Sequence, residues 1–231
     1  MKLIRIGIID SGVNLGHPHI GNVAGGVTIC SNSDTLSQGF QDRLGHGTAV
    51  AALIHHRAPE AELFAVKVFD QALSTDLTTL LSAIDWCLSH QMDLINLSLG
   101  TTNNEHRCAI EAAVARTRAA GGIIVSAAEI DGVPALPGCL SGVIGVQSDP
   151  TKAPGELGEI SLQGRTVITA APWAREIPGV PREKNLYGIS FAVAHVTAAV
   201  ARSWSGSEEH LRLDQLELSA NTMHWVVSGH T

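Results

Sequence analysis

Two kinds of apolar pattern alternate along this chain. The first is a short, unbroken aliphatic run, at residues 4–9 and again at 62–69, 93–99, 123–127 and 143–146. Runs of strand length without polar alternation predict strands covered on both faces, the habit of a parallel sheet. The second is a longer stretch whose apolar residues recur every three or four positions, which predicts amphipathic helices. Residues 45–56 form one such stretch, with Ala49, Val50, Ala52 and Leu53 inward and Pro59 beyond its end. Asp76 is placed to cap a second helix reaching about residue 90, with Leu80, Leu81, Ile84 and Cys87 at core spacing. A third, 105–120, stops at Gly121-Gly122, and an alanine-rich fourth covers 190–202. Strands and helices in alternation predict an α/β fold of three layers, a mostly parallel central sheet with helices on both faces. The polar, glycine-bearing stretch 14–42 reads as loops with room for a short strand. The Gly- and Pro-rich stretch ahead of residue 190 reads as a loop as well, and a short helix is expected near 211–218. No repeat or linker interrupts the pattern, so residues 1–231 are expected to form a single domain.

Composition narrows the class. The 231 residues are 45% hydrophobic, 16% charged and 4% aromatic, which suits a large core of small aliphatic side chains and excludes a disordered protein. A formal net charge of -7 offers no electrostatic reason to bind nucleic acid or an anionic membrane. No run approaches the ~20 apolar residues that a spanning helix requires. The opening MKLIRIGIID enters the first strand pattern without an apolar signal segment, so a soluble, cytoplasmic protein is expected. Cys30, Cys87, Cys108 and Cys139 are scattered without metal-type spacing. Cys87 and Cys108 fall on apolar helical faces, which favours buried reduced thiols over a disulfide framework.

Candidate chemistry gathers where the predicted elements begin and end. Asp10 closes the first strand, His46 opens a helix inside Gly-His-Gly-Thr, and Ser190 opens another inside Gly-Ile-Ser-Phe-Ala. Open parallel sheets bind ligands beyond the C-terminal ends of their strands, where such positions can converge. A serine hydroxyl becomes a useful nucleophile when a neighbouring imidazole takes its proton. An aspartate then holds the imidazole tautomer and stabilises the imidazolium. A serine at a helix start also meets backbone N–H groups and the positive end of the helix dipole, which favour a developing oxyanion. The sequence order Asp, His, Ser is that of subtilisins; chymotrypsins and α/β-hydrolases run in other orders.

The segments IIDSGV, GHGTAVAALI, APEAELFAVKVFD, AIDWCLSHQMDLINLSLG and GISFAVAHVTAAVA resemble, in order and spacing, the motif blocks of the subtilisin-like serine proteases. They cover most of the chain from Ile4 to Ala201. The resemblance implies a subtilisin-like fold and a serine endopeptidase with Asp10, His46 and Ser190 as its triad and no cofactor or metal. It also implies that Ser98-Leu99-Gly100 pairs with an extended polypeptide and lines the primary specificity pocket, with Ala127 and Ala128 beside it.

One departure from the family stands out. Its oxyanion asparagine sits in an Ala-Ala-Gly-Asn segment, where this chain reads IIVSAAEIDG. Glu129 and Ile130 occupy that region, and neither supplies an amide donor. Another donor, a protonated Glu129, or a slow and selective enzyme would each answer the loss; Glu129 could instead line the pocket and prefer a basic side chain. Ile189 and Phe191 stand where the family has Thr and Met. His17 and His19 could suggest a metal, but the family carries a His-Pro pair there, so a turn role is expected. His55 and His56 leave a helix about 100° apart and share no ligand face. His195 is expected to pack, and Asn96 to bond backbone. The expected function is narrow: maturation of one dedicated precursor, a peptide or small protein, by removal of its leader. The alternative is a catalytically weak or inactive peptide-binding module of the same shape.

Overall fold

The computed structural model describes residues 3–29 and 39–204. The aliphatic runs become strands β1 (Arg5–Asp10), β3 (Glu62–Lys67), β4 (Leu94–Leu97), β5 (Ile123–Ala127) and β8 (Val143–Ser148). The short strand expected within 14–42 is β2 (Val23–Thr28). With β9 (Leu157–Leu162) and β10 (Arg165–Ala170) they form an eight-stranded sheet in the order β2-β3-β1-β4-β5-β8-β10-β9. Every pairing is parallel except the β9–β10 hairpin at one edge. A separate two-stranded ribbon joins β6 (Glu129–Ile130) to β7 (Val133–Pro134).

Alternation of side chains across the strands divides the core between two helical layers. Ile6 and Ile8 of β1 join Leu63, Leu94 and Val125 beneath α1 (His46–Arg57) and α4 (Ile189–Ser203). Ile9, Phe64, Val66, Ile95 and Leu97 face α2 (Leu77–Ser89) and α3 (Arg107–Ala119) on the other side. Asp76 caps α2 as its position predicts, its Oδ1 accepting the Thr79 N–H at 2.8 Å. The buried residues of α1 include Val50, Ala51, Leu53 and Ile54, while Ala49 is only half covered.

Three readings change. Cys108 is exposed, because α3 turns Ile110, Ala113, Val114 and Thr117 inward and leaves Cys108 off that face; Cys87 is buried. The stretch ahead of Ser190 holds the β9–β10 hairpin, where Gln163 and Gly164 take positive φ at its turn. Its edge strand is half exposed and polar, so it lacks the aliphatic run that marks the central strands. Asn96 bonds side chains: Nδ2 donates to Ser98 Oγ at 2.8 Å, and Oδ1 accepts from Thr197 Oγ1 at 2.9 Å. Cys30 and the helix expected near 211–218 lie outside the described residues. Among the described residues, no helix is long and apolar enough to cross a membrane.

Asp76→Ala removes a cap far from the site. It should lower unfolding stability by about 1 kcal/mol in a urea titration, leaving the slope of the transition unchanged.

Candidate active site

The end of β1 and the start of α1 meet at one point. Asp10 is fully buried, and the His46 Nδ1–H donates to its two carboxylate oxygens at 2.8 and 3.0 Å. The Ser11 backbone N–H adds a third contact to Asp10 Oδ1 at 2.7 Å. This approach is possible because residue 47 is a glycine. A Cβ there would collide with the Gly12 carbonyl oxygen and come within 3.1 Å of Asp10 Oδ1.

The first turn of α1 has no cap from its own N-cap residue, Gly45. Its free N–H groups are served from elsewhere. Ser11 Oγ accepts the Gly47 N–H at 2.9 Å, and Asp42 Oδ2 accepts the Thr48 N–H at 2.9 Å and its hydroxyl at 2.5 Å. Asp42 Oδ1 takes the Leu44 and Gly45 N–H groups, each at 2.9 Å, and the Ser11 hydroxyl at 2.9 Å. Asp42, Ser11 and Thr48 therefore lock the strand that carries Asp10 to the helix that carries His46. Sequence reasoning missed all three, since capping groups several to dozens of residues away leave no local capping pattern. The one available signal was Asp42 itself, an acid just ahead of a helix that starts on glycine.

Charge follows from this geometry. Burial on its own would depress the His46 pKa, but the Asp10 hydrogen bond and the Asp10 and Asp42 charges outweigh it and hold it above the usual 6.5. Burial likewise opposes ionisation of Asp42, yet the Thr48 hydroxyl and the N–H groups of Thr48, Gly45 and Leu44 hold its pKa below 3.8.

Ser190 lies in the first turn of α4, and its Oγ donates to the Ser98 carbonyl at 3.4 Å. The next residue, Phe191, is buried with its ring centroid 5.7 Å from that of His46, which places the α4 start beside the α1 start. Ser98, Leu99 and Gly100 follow β4 and are half-buried; Ser126 Oγ donates to the Leu99 carbonyl at 3.3 Å. Ala127 and Ala128 are buried at the end of β5. Glu129 and Ile130 form one arm of the β6–β7 ribbon, turned at Asp131 and Gly132 with positive φ. Glu129 Oε1 accepts the Gln147 side-chain N–H at 2.6 Å. Ile130 lies against Gly100, where an added Cβ would stand 3.7 Å from Ile130 Cδ1. His195 Nε2–H donates to the Trp173 carbonyl at 3.1 Å, and burial with the nearby Arg57 charge pushes its pKa down to about 4. It is a neutral packing residue. His17 and His19 meet edge to face, and the His19 backbone N–H donates to His17 Nδ1 at 3.2 Å, a turn contact.

In an NMR titration the His46 imidazole should change charge above pH 6.5, and in Asp10→Asn its midpoint should fall. Asp42→Ala should cost roughly 2–4 kcal/mol by stranding buried donors. Because the Asp42 pKa is lower in the folded state, the part of its contribution that depends on charge is complete above pH 3.8 and fades below it. The gap between the denaturant curves of the two proteins should therefore narrow as pH falls past that value.

Residues 2–225 match the Subtilase family. The chain is 35% identical to the minor extracellular protease Epr of Bacillus subtilis (strain 168) across 74% of its own length and 27% of that protein. Identity is 31% to a thermostable alkaline protease of Halalkalibacterium halodurans (85% of this chain, 55% of the relative) and 28% to subtilisin E of Bacillus subtilis (91% and 59%). The chain thus spans between 27% and 59% of the length of these relatives. With a family match running through nearly the whole sequence, and a mostly parallel sheet between two helical layers, the chain belongs to the subtilase family.

Proposed function

We propose that this chain is a serine endopeptidase, a single catalytic domain over residues 1–231, with Asp10, His46 and Ser190 as its triad. The observation that carries the reading is the buried Asp10 carboxylate hydrogen-bonded to His46 Nδ1, with the helix bearing Ser190 packed beside it. In this reading His46 Nε2 takes the Ser190 proton as Oγ attacks the scissile carbonyl. Asp10 stabilises the imidazolium, which then gives the proton to the leaving amine. Water, activated by the same imidazole, releases the acyl-enzyme. Ser98, Leu99, Gly100, Ala127 and Ala128 bind the polypeptide through main-chain hydrogen bonds. The N–H groups at the start of α4 stabilise the oxyanion.

The enzyme is slow and selective in this proposal, because Glu129 and Ile130 supply no amide to the oxyanion. Loss of one such donor costs roughly a hundredfold to a thousandfold in turnover in subtilisin itself. Such restraint fits a maturation protease that removes a leader from one dedicated precursor. In this the protein resembles the subtilisin-like protease that matures the small subunit of quinohemoprotein amine dehydrogenase. Free Cys87, Cys108 and Cys139, one of them exposed, suit the reducing cytoplasm. A second reading, a peptide-binding module, is favoured by one contact: the Ser190 hydroxyl is turned toward the Ser98 carbonyl.

A fluorophosphonate probe separates the two. Covalent labelling that Ser190→Ala abolishes supports the endopeptidase, with a labelling rate that rises with pH through a midpoint above 6.5 as His46 loses its proton. Folded protein that never labels leaves the binding module.

A further inference from the structure

A cleft of about 530 Å³ opens between the first turns of α1 and the chain that leads to Ser190, and Ser98, Leu99 and Gly100 are not among the residues that line it. Its walls are the turn around Asn14 to His19, the start of α1 at Gly45 and Thr48, and the strap that runs through Arg175 and Leu186 toward Ser190. Gly45 and Thr48 bracket His46 in sequence and Leu186 lies four residues before Ser190, so the cleft adjoins the segments that carry the imidazole and the hydroxyl.

The lining is basic in a protein whose formal net charge is -7. Arg43, Arg175 and Lys184 contribute cations, and His17 and His19 stand beside them. The one carboxylate in the lining, Asp42, is buried and already accepts from Ser11, Leu44, Gly45 and Thr48. Arg43 pairs with Asp70 at 3.5 Å, and nearby Glu176 pairs with Arg182 at 3.7 Å. Among the described residues, neither Arg175 nor Lys184 has an ion-pair partner. The field of Arg175 reaches across the cleft: after burial, it is the main cause that lowers the pKa of His19. Leu44, Ile177 and Leu186 add exposed apolar surface between these charges. Cations interleaved with exposed aliphatic side chains suit an acidic polypeptide better than a small anion.

Polarity follows from the chemistry. The residue whose carbonyl is attacked fills the primary specificity pocket, so substrate on the N-terminal side of the cut runs along Ser98, Leu99 and Gly100. The leaving amine takes its proton from His46, so substrate on the C-terminal side departs past the imidazole. The cleft adjoins the helix start that carries His46 and is not lined by Ser98, Leu99 or Gly100, which makes it the surface open to that departing segment. We propose that the cleft binds the substrate segment that follows the scissile bond and selects Asp and Glu there. The inference rests on the endopeptidase reading for its polarity, and on the cleft's own charges for its selectivity.

The test digests a peptide library, randomised at every position, and maps each cut by mass spectrometry. Asp and Glu should be enriched in the few positions after the cut, with acidic sequences favoured over their amides by roughly tenfold at low salt and less at high salt. In Arg175→Glu/Lys184→Glu the acidic-to-neutral cleavage ratio should fall below one, and in Arg175→Gln/Lys184→Gln it should approach one. The ratio is internal to each protein and cancels differences in active fraction. No acidic enrichment, or a ratio unmoved in both variants, overturns the inference while the endopeptidase reading stands. If the wild type neither labels with fluorophosphonate nor cuts, that reading fails. Fluorescence anisotropy with a labelled alternating Leu-Glu peptide and its Leu-Gln counterpart then decides the cleft. Equal affinity for the two peptides, or for wild type and both variants, sinks it.

Discussion

The junction between the end of β1 and the start of α1 governs the rest of the site. A helix start carries N–H groups with no partner inside the helix, and a buried one must find them elsewhere. Here Gly45 offers no side chain, so Asp42 and Ser11 fill the gap. Because Ser11 follows Asp10 directly, satisfying the helix also fixes the strand end. The Asp10–His46 contact is thus a by-product of helix capping. It places a carboxylate and an imidazole at 2.8 Å with little freedom left to either. Gly47 makes the close approach possible, since any Cβ there would meet the Gly12 carbonyl.

The sheet transmits this arrangement to the other half of the site. α1 and α4 share one face of the sheet, above Ile6, Ile8, Leu63 and Val125, so their first turns arrive side by side. Phe191 fills the space between them and lies against His46, where a smaller residue would leave a void beside the imidazole. Asn96 acts from below: it bonds Thr197 of α4 on one side and Ser98 on the other, linking the helix that carries Ser190 to the segment proposed to hold substrate. Parallel strands release their C-terminal ends on one edge, and Asp10, Ser98 and Ala127 all emerge there.

The β6–β7 ribbon stands where the family resemblance puts an oxyanion asparagine, and it leaves the parallel sheet beneath it intact. Asp131 and Gly132 make a tight turn with both residues at positive φ, the arrangement that two-residue hairpins favour. The ribbon it closes points Ile130 at Gly100 and ties Glu129 to Gln147. Under the proposed endopeptidase reading, a carboxylate held by an amide and an aliphatic side group stand in place of the usual donor. In the proposed function, the basic cleft would let such an enzyme gain selectivity through binding rather than turnover.

Much of the fold was legible in the sequence. The central strands are covered on both faces and so are written as aliphatic runs, and Asp76 marks its helix because its capping bond is local. The β9–β10 hairpin escaped because an edge strand half in solvent keeps no such run, and Cys108 was misplaced because helical periodicity leaves the facing of a helix undecided by a fraction of a turn. Sequence by itself placed Asp10, His46 and Ser190 at element ends, and the family resemblance marked Glu129 and Ile130 as standing where an amide is expected. Only tertiary structure decided that Asp42 and Ser11 cap α1, that Asn96 bridges Ser98 to Thr197, and that Arg43, Arg175 and Lys184 share one cleft. Those contacts join residues far apart in sequence, and their partners are set by how elements pack, which no local pattern records.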